Sequence, residues 1–138
     1  MKDIEITRDL SFPAEMVWHA LTDPAQLGAW LMPNEFRAEI GHRFTFQTKP
    51  APGFDGIVKC EVLELSPPKR LVICWKGGPL DTRASFDLMQ TDTGTRITLR
   101  HTGFTGLSNA IPRIALGLGW KDLLGSKLPR HLATRQPS

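Results

Sequence analysis

The sequence predicts an α+β fold: seven antiparallel strands in a meander, two short helices between the first strand and the second, and a long C-terminal helix. Three observations predict it. Apolar and polar residues alternate with a period of two in several short segments, as strands with one buried face do. Turn signals rich in Gly and Pro separate those segments about every ten residues. After Phe104 the apolar spacing changes to that of a helix.

Each element has its own justification. Over residues 4–12, Ile4, Ile6, Leu10 and Phe12 share one side and Glu5, Thr7, Asp9 and Ser11 the other, with Arg8 the exception on the apolar side. Pro13 suits a first helical turn, where a missing N–H costs nothing, and Met16, Val17, Ala20 and Leu21 follow at helical spacing. Asp23-Pro24 ends that helix and opens a second, from Pro24 to about Leu31, because proline disfavours the α region before it and suits the N1 position. Pro33-Asn34 breaks it. Strands are then predicted over 36–40, 43–48, 56–65, 69–76, 83–90 and 95–102. Pro112 opens the long helix, along which Ile114, Leu118, Trp120, Leu123, Leu124, Leu128 and Leu132 recur at helical spacing. Gly117, Gly119 and Gly125 weaken it by up to about 1 kcal/mol each, and Pro129 should kink it. The firmest stretch is Trp120 to Ala133.

Hairpin arithmetic tests the strands. If Ser66 faces Lys69, Val62 faces Ile73 and Cys60 faces Trp75. If Gln90 faces Thr95, Leu88 faces Ile97, Phe86 faces Leu99 and Ala84 faces His101. A one-residue slip would turn every one of these side chains to water. The apolar face is then Phe44, Phe46, Val58, Cys60, Val62, Ile73, Trp75, Phe86, Leu88, Ile97 and Leu99, for the long helix to cover.

Composition narrows the classes. At 138 residues with 41% hydrophobic and 22% charged residues, the chain is one globular domain that folds without disulfides or metal. A net charge of +3 is too small to indicate nucleic acid. The stretch from Arg100 to the end carries six basic residues and one acid, which reads as a solvated helix face and tail. No apolar run approaches the roughly 18 residues of a membrane span, and Met1 to Asp9 has no signal-peptide core, so a cytoplasmic location is expected.

Four motifs in order resemble one family. They are "SFPAEMVWHALTDPAQLGAWLMP", "GIVKCEVLELSPPKRLVICW", "TDTGTRITLRHTGF" and "GWKDLLGSKLPRHLA". With them the chain resembles the SRPBCC superfamily of START-like, helix-grip proteins, and within it the family named for the C-terminal domain of the activator of heat-shock protein 90 ATPase. The resemblance implies a curved seven-stranded antiparallel sheet gripping the terminal helix, with a cavity between them. It implies one START-like domain over 1–133, followed by a disordered tail over 134–138. Members include lipid carriers, aromatase/cyclases and hormone receptors, so it fixes no function. The name-giving co-chaperone carries a further N-terminal domain that contributes much of its chaperone binding, and without one chaperone binding is not expected here.

No Gly-x-Ser-x-Gly, His-Glu-x-x-His or phosphate loop is present. The four histidines form no i, i+4 pair, so no metal site is expected, nor any cofactor. His101 is the one titratable residue predicted on the apolar face. It reads as a hydrogen-bonded histidine at the mouth of the sheet, near solvent; as a ligand contact; or as a general base with a bound water. Cys60 and Cys74 should point to opposite faces, unbonded. The candidate cavity is lined by Trp18, Trp30, Phe44, Phe46, Val58, Cys60, Ile73, Trp75, Phe86, Leu99, His101, Leu118 and Trp120, with Arg8 and Glu64 at strand ends near it. Such a cavity suits a small hydrophobic ligand. The alternatives are a cyclase- or hydrolase-type enzyme using His101 and a protein-interaction module.

Overall fold

The two hairpins whose registers follow from alternation form the middle of the sheet. In the computed structural model, which describes residues 2–135, β5 (Leu80–Thr91) and β6 (Gly94–Thr102) pair Gln90 with Thr95, Leu88 with Ile97, Phe86 with Leu99 and Ala84 with His101, as alternation predicts. Between β3 (Ile57–Ser66) and β4 (Arg70–Gly77), Cys60 faces Trp75 and Val62 faces Ile73. The turn differs from expectation: Ser66 faces Arg70, and Glu64 faces Val72. The Lys69 N–H closes the turn on the Ser66 carbonyl at 2.7 Å, and a bulge between Val62 and Glu64 absorbs the one-residue offset.

With β1 (Ile4–Leu10) and β2 (Arg43–Gln47), the strands form one antiparallel sheet in the order β1-β6-β5-β4-β3-β2. All eleven residues assigned to its apolar face are buried. The opposite face carries exposed cross-strand ion pairs, Arg96–Asp9 at 2.8 Å and Arg70–Asp87 at 2.7 Å, each contributing at most about 1 kcal/mol.

The sheet has six strands, not seven. Residues 36–40 are irregular and pair with no strand; the chain bonds the sheet on either side of them, through the bridge of Asn34 to Phe46 and between Gly41, His42 and Val62. The reason is chemical. The Thr45 N–H on the outer edge of β2, which a seventh strand would have to take up, donates instead to the Glu35 carboxylate at 2.8 Å.

Two short helices follow β1: α1 (Ala14–Thr22) and α2 (Pro24–Trp30). The Asp23 side chain caps α2 by accepting from the Gln26 N–H at 3.0 Å. The Trp30 indole N–H donates to the Ala20 carbonyl at 2.8 Å, tying α2 to α1.

The terminal helix is not continuous. α3 (Ala110–Asp122) passes through a π turn, Leu123–Lys127, into α4 (Leu128–Arg135). Trp120, Leu124, Leu128 and Leu132 are buried together on one face. A strict four-residue repeat drifts by about 40° per step on an α-helix, and the wider π turn takes up that drift. It also answers Pro129, which has no N–H to give to the previous turn. The Leu128 N–H bonds Leu123 five residues back, and no kink is needed elsewhere. Thr134 and Arg135, expected in a tail, close α4, and residues 136–138 lie outside the described residues. Arg8 lies on the apolar side as expected. It runs past Gly125, its Nε 3.4 Å from where a Cβ there would sit.

Candidate functional site

β6 delivers His101 to the inner face of the sheet, and the chain then turns at Gly103, whose φ of +98° favours glycine. The turn folds Phe104 back over the imidazole, with ring centroids 4.9 Å apart. Trp75 stands at 5.5 Å and Trp120 at 6.3 Å. His101 is therefore fully buried, not at a solvent-facing mouth. Sequence alternation placed it on the correct face but carried no sign of the loop that seals it.

Its hydrogen bonds fix its tautomer. An indole N–H can only donate, so the Trp120 Nε1–H gives its proton to His101 Nδ1, at 3.1 Å. Nε2 then carries the hydrogen and donates to Thr82 Oγ1 at 2.7 Å. The Thr82 hydroxyl in turn donates to the Trp75 carbonyl at 2.8 Å. Burial lowers the His101 pKa from 6.5 to about 4. The imidazole is neutral and both nitrogens are engaged, so it has no lone pair to offer a water or a substrate.

Cys60 is buried and burial pushes its thiol far above the usual range; Cys74, half-buried, is pushed up for the same reason. Both are free thiols and neither is a ready nucleophile. Among the described residues, no three metal-ligating side chains come together.

The inner void lies at the other end of the core, between α1, α2 and the sheet. It measures only about 10 Å³ and is lined by Leu21, Leu27, Leu31, Phe36, Phe44, Phe46, Leu71, Ile73 and Phe86. That is about the space of one water, and with no polar wall it stays dry. Its outer wall is Leu31 and Phe36, on the irregular stretch 31–42. Backbone bonds hold it on either side, from the Gln47 N–H to the Pro33 carbonyl at 3.0 Å and between Val62 and Gly41 and His42 at 2.8 and 3.0 Å, and side chains hold the part between. Asn34 accepts from the Phe36 N–H at 2.9 Å. The Glu35 carboxylate takes the Thr45 N–H, the Thr45 hydroxyl at 2.7 Å and the Gln47 amide. These bonds hold the Glu35 carboxyl below its usual pKa, the Thr45 hydroxyl contributing most.

Of the residues expected to line a cavity, Phe44, Phe46, Ile73 and Phe86 do so. Trp18, Trp30, Val58, Cys60, Trp75, Leu99, His101 and Trp120 are buried in close-packed core instead. Leu118 is 66% exposed and faces away from the sheet. Glu64 pairs with Arg70 at 3.1 Å in solvent. Leu21, Leu27, Leu31, Phe36 and Leu71 escaped the sequence reading. The helical spacing of Leu21 and Leu27 and the aromatic Phe36 beside them were the available signal. A second hollow, an open trough of about 380 Å³ on the outer face of β3–β6, includes Glu61, Lys76, Asp81 and Arg83. Its charges balance, and Lys76 and Asp81 approach each other to 4.0 Å.

Residues 11–133 match the family described as Activator of Hsp90 ATPase homolog 1-like protein. The chain belongs to that family. Its fold recurs in solved structures. Protein MLL2253 from Mesorhizobium loti is 30% identical, with a TM-score of 0.88 over 99% of this chain and 100% of that one. BH1534 from Bacillus halodurans is 26% identical, with a TM-score of 0.80 over 96% and 97%. DynU16, from the dynemicin biosynthetic locus, shares the fold at 22% identity and a TM-score of 0.80, this chain covering 49% of its length. Among curated proteins no match is found. As a member of the family, the chain has a fold consistent with a small-domain ligand-binding protein. Among its described residues no helix is long and apolar enough to cross a membrane.

Proposed function

We propose that the protein binds a small, mostly apolar molecule at the Phe36 end of its core, between the sheet and α2. One observation supports this above others. The apolar walls of the void are closed on one side by Phe36, on a stretch that side chains hold down between backbone bonds at Pro33 and at Gly41 and His42. The void is too small for a ligand, so binding requires residues 35–40, between the backbone bonds at Pro33 and Gly41, to lift. Phe36 then leaves, and the ligand takes over its contacts in the void with Phe44, Phe46 and Phe86. The exchange is near balance, because the ligand restores apolar contacts that the cover gives up. The surplus is the ligand's own buried surface, at about 25 cal/mol per Å². The all-apolar wall selects by shape and size and offers no group to orient a polar ligand. An enzymatic reading built on His101 has less support, since its one lone pair is taken by Trp120. A protein-interaction role draws support from a different feature, the exposed apolar side of α3.

The test is a titration with N-phenyl-1-naphthylamine, whose fluorescence rises in an apolar site. Saturable one-to-one binding is expected for the wild type. Binding should be about tenfold tighter for Phe36→Ala, which removes the side chain that competes for the space. Ile114→Glu, on the far surface, should leave it unchanged. No saturable binding by either the wild type or Phe36→Ala, or loss of binding in Ile114→Glu, would overturn the proposal.

A further inference from the structure

α3 turns its larger apolar side outward. Ile111 is 79% exposed, Ile114 59% and Leu118 66%, and Leu107, on the 3₁₀ turn Leu107–Asn109 just before the helix, is 94% exposed. The inward side of the same helix offers Ala110, Arg113, Leu116 and Gly117 before Trp120 anchors it. Spacing alone predicts one stripe from Ile114 to Leu132, and the structure divides it. From Trp120 onward the large apolar residues face the sheet, and before it Leu116 packs against the core while Ile111, Ile114 and Leu118 face water. Several hundred Å² of contiguous aliphatic surface is at the upper end of what a monomer leaves uncovered.

We propose that this face is the interface of a homodimer in which α3 packs antiparallel on α3 of a second copy. Three features specify a copy rather than another partner. The spacing of Ile111, Ile114 and Leu118 on α3 is that of a helix-pairing seam, and Leu107 extends it from the 3₁₀ turn Leu107–Asn109. Exposed Ala115 and Gly119 lie beside it, with nothing within 4 Å of where a Gly119 Cβ would sit. A ridge next to a groove is self-complementary. With Ile114 set on Ala115 of the second copy, Ile111 meets its Leu118. Between Ile111 and Leu118 the seam also carries no charge. Arg113 is drawn back, its guanidinium donating to the Lys2 and Asp3 carbonyls at 2.5 and 3.2 Å, and Lys121 and Asp122 come only after Leu118. A two-fold axis sets every group beside its own copy, so an isologous interface favours an uncharged face. An acidic or basic partner, or an anionic membrane, would meet no complementary charge. Two such faces bury roughly 1,000 Å² in total, the lower end for a specific interface, so the dimer is of moderate strength and concentration-dependent.

Sedimentation equilibrium of the full chain tests this. The wild type is expected to dimerise, and Ile111→Glu and Leu118→Lys, each folded by circular dichroism, to weaken association by roughly a hundredfold or more. Mixing those two variants should restore a dimer, because the antiparallel pairing sets the new acid of one against the new base of the other. A wild type that stays monomeric at hundreds of micromolar overturns the proposal; binding of that monomer to phosphatidylcholine vesicles would assign the stripe to a lipid surface. A dimer that survives Ile111→Glu places the interface elsewhere and overturns it too. Failure of the mixture to pair overturns the antiparallel arrangement.

Discussion

At the His101 end of the core, every polar atom has a directional partner, and three aromatic rings close around the imidazole. At the Phe36 end, nine apolar side chains surround a small void, and the polar groups that close it sit outside, around Glu35. Both ends exclude water. They differ in what opening would cost. Separating Trp120 from His101 orphans a buried acceptor, at about 1–3 kcal/mol beyond the lost packing. Lifting Phe36 exposes only apolar surface and returns the Glu35 bonds to water. Directional bonds inside a core lock one packing, whereas the same bonds outside it make a releasable fastening.

The largest expected effect comes from breaking the locked end. Trp120→Ala removes a buried indole and the donor to His101, and should cost roughly 3–5 kcal/mol in urea unfolding. A loss under about 1 kcal/mol would show that this end is not locked at all.

Acid attacks the same end less severely. The folded-state pKa of His101 is about 4 against 6.5 when exposed, so the unfolded chain takes up the proton first as pH falls. The stability contributed by the neutral imidazole is complete above about pH 6.5. It is lost progressively toward pH 4, by roughly 3 kcal/mol in all. Burial also lowers the pKa of His131, which adds loss in the same direction. Denaturant titrations of wild type and His101→Gln across that window should differ in slope, and parallel curves would refute the assignment.

The smallest effect belongs to the releasable end. Glu35→Gln keeps the shape and weakens the fastening, so global stability should change by under about 1 kcal/mol. Amide hydrogen exchange at Phe36 and Thr45 should nevertheless speed up, while Leu99 in β6 stays protected. Unchanged exchange at Thr45 would mean that the carboxylate does not hold the stretch down.

Much of this was legible in the sequence. Period-two alternation specified both hairpin registers and all eleven residues of the inner face, because one slip there is costly everywhere. It could not reveal the bulge at Leu63, where an offset in the turn and its correction cancel. Residues 36–40 alternate as a strand does. The Glu35 side chain takes the edge donor that pairing would need, the N–H of Thr45 ten residues away, and alternation within 36–40 does not register that contact. His101 reads as a rim residue because its burial depends on Gly103 returning Phe104, a contact set by the loop. The resemblance sets a cavity against the terminal helix, whereas α2 and the stretch after it supply three of the void's nine lining residues, Leu27, Leu31 and Phe36, α1 supplies Leu21, and the sheet supplies the other five.

The π turn at Leu123–Lys127 also bears on how related chains line up. A π turn is equivalent to one residue inserted into a regular helix whose flanks keep their orientation. With one residue fewer between 123 and 127, Leu128 and Leu132 would stand seven and eleven positions from Trp120, in phase on an ordinary α-helix at 3.6 residues per turn. A one-residue gap there leaves both flanks superposable. The same gap within α3 would rotate its outward stripe by about 100° relative to the anchor at Trp120. Length variation in this helix is therefore tolerated at one place, which marks where an alignment gap belongs.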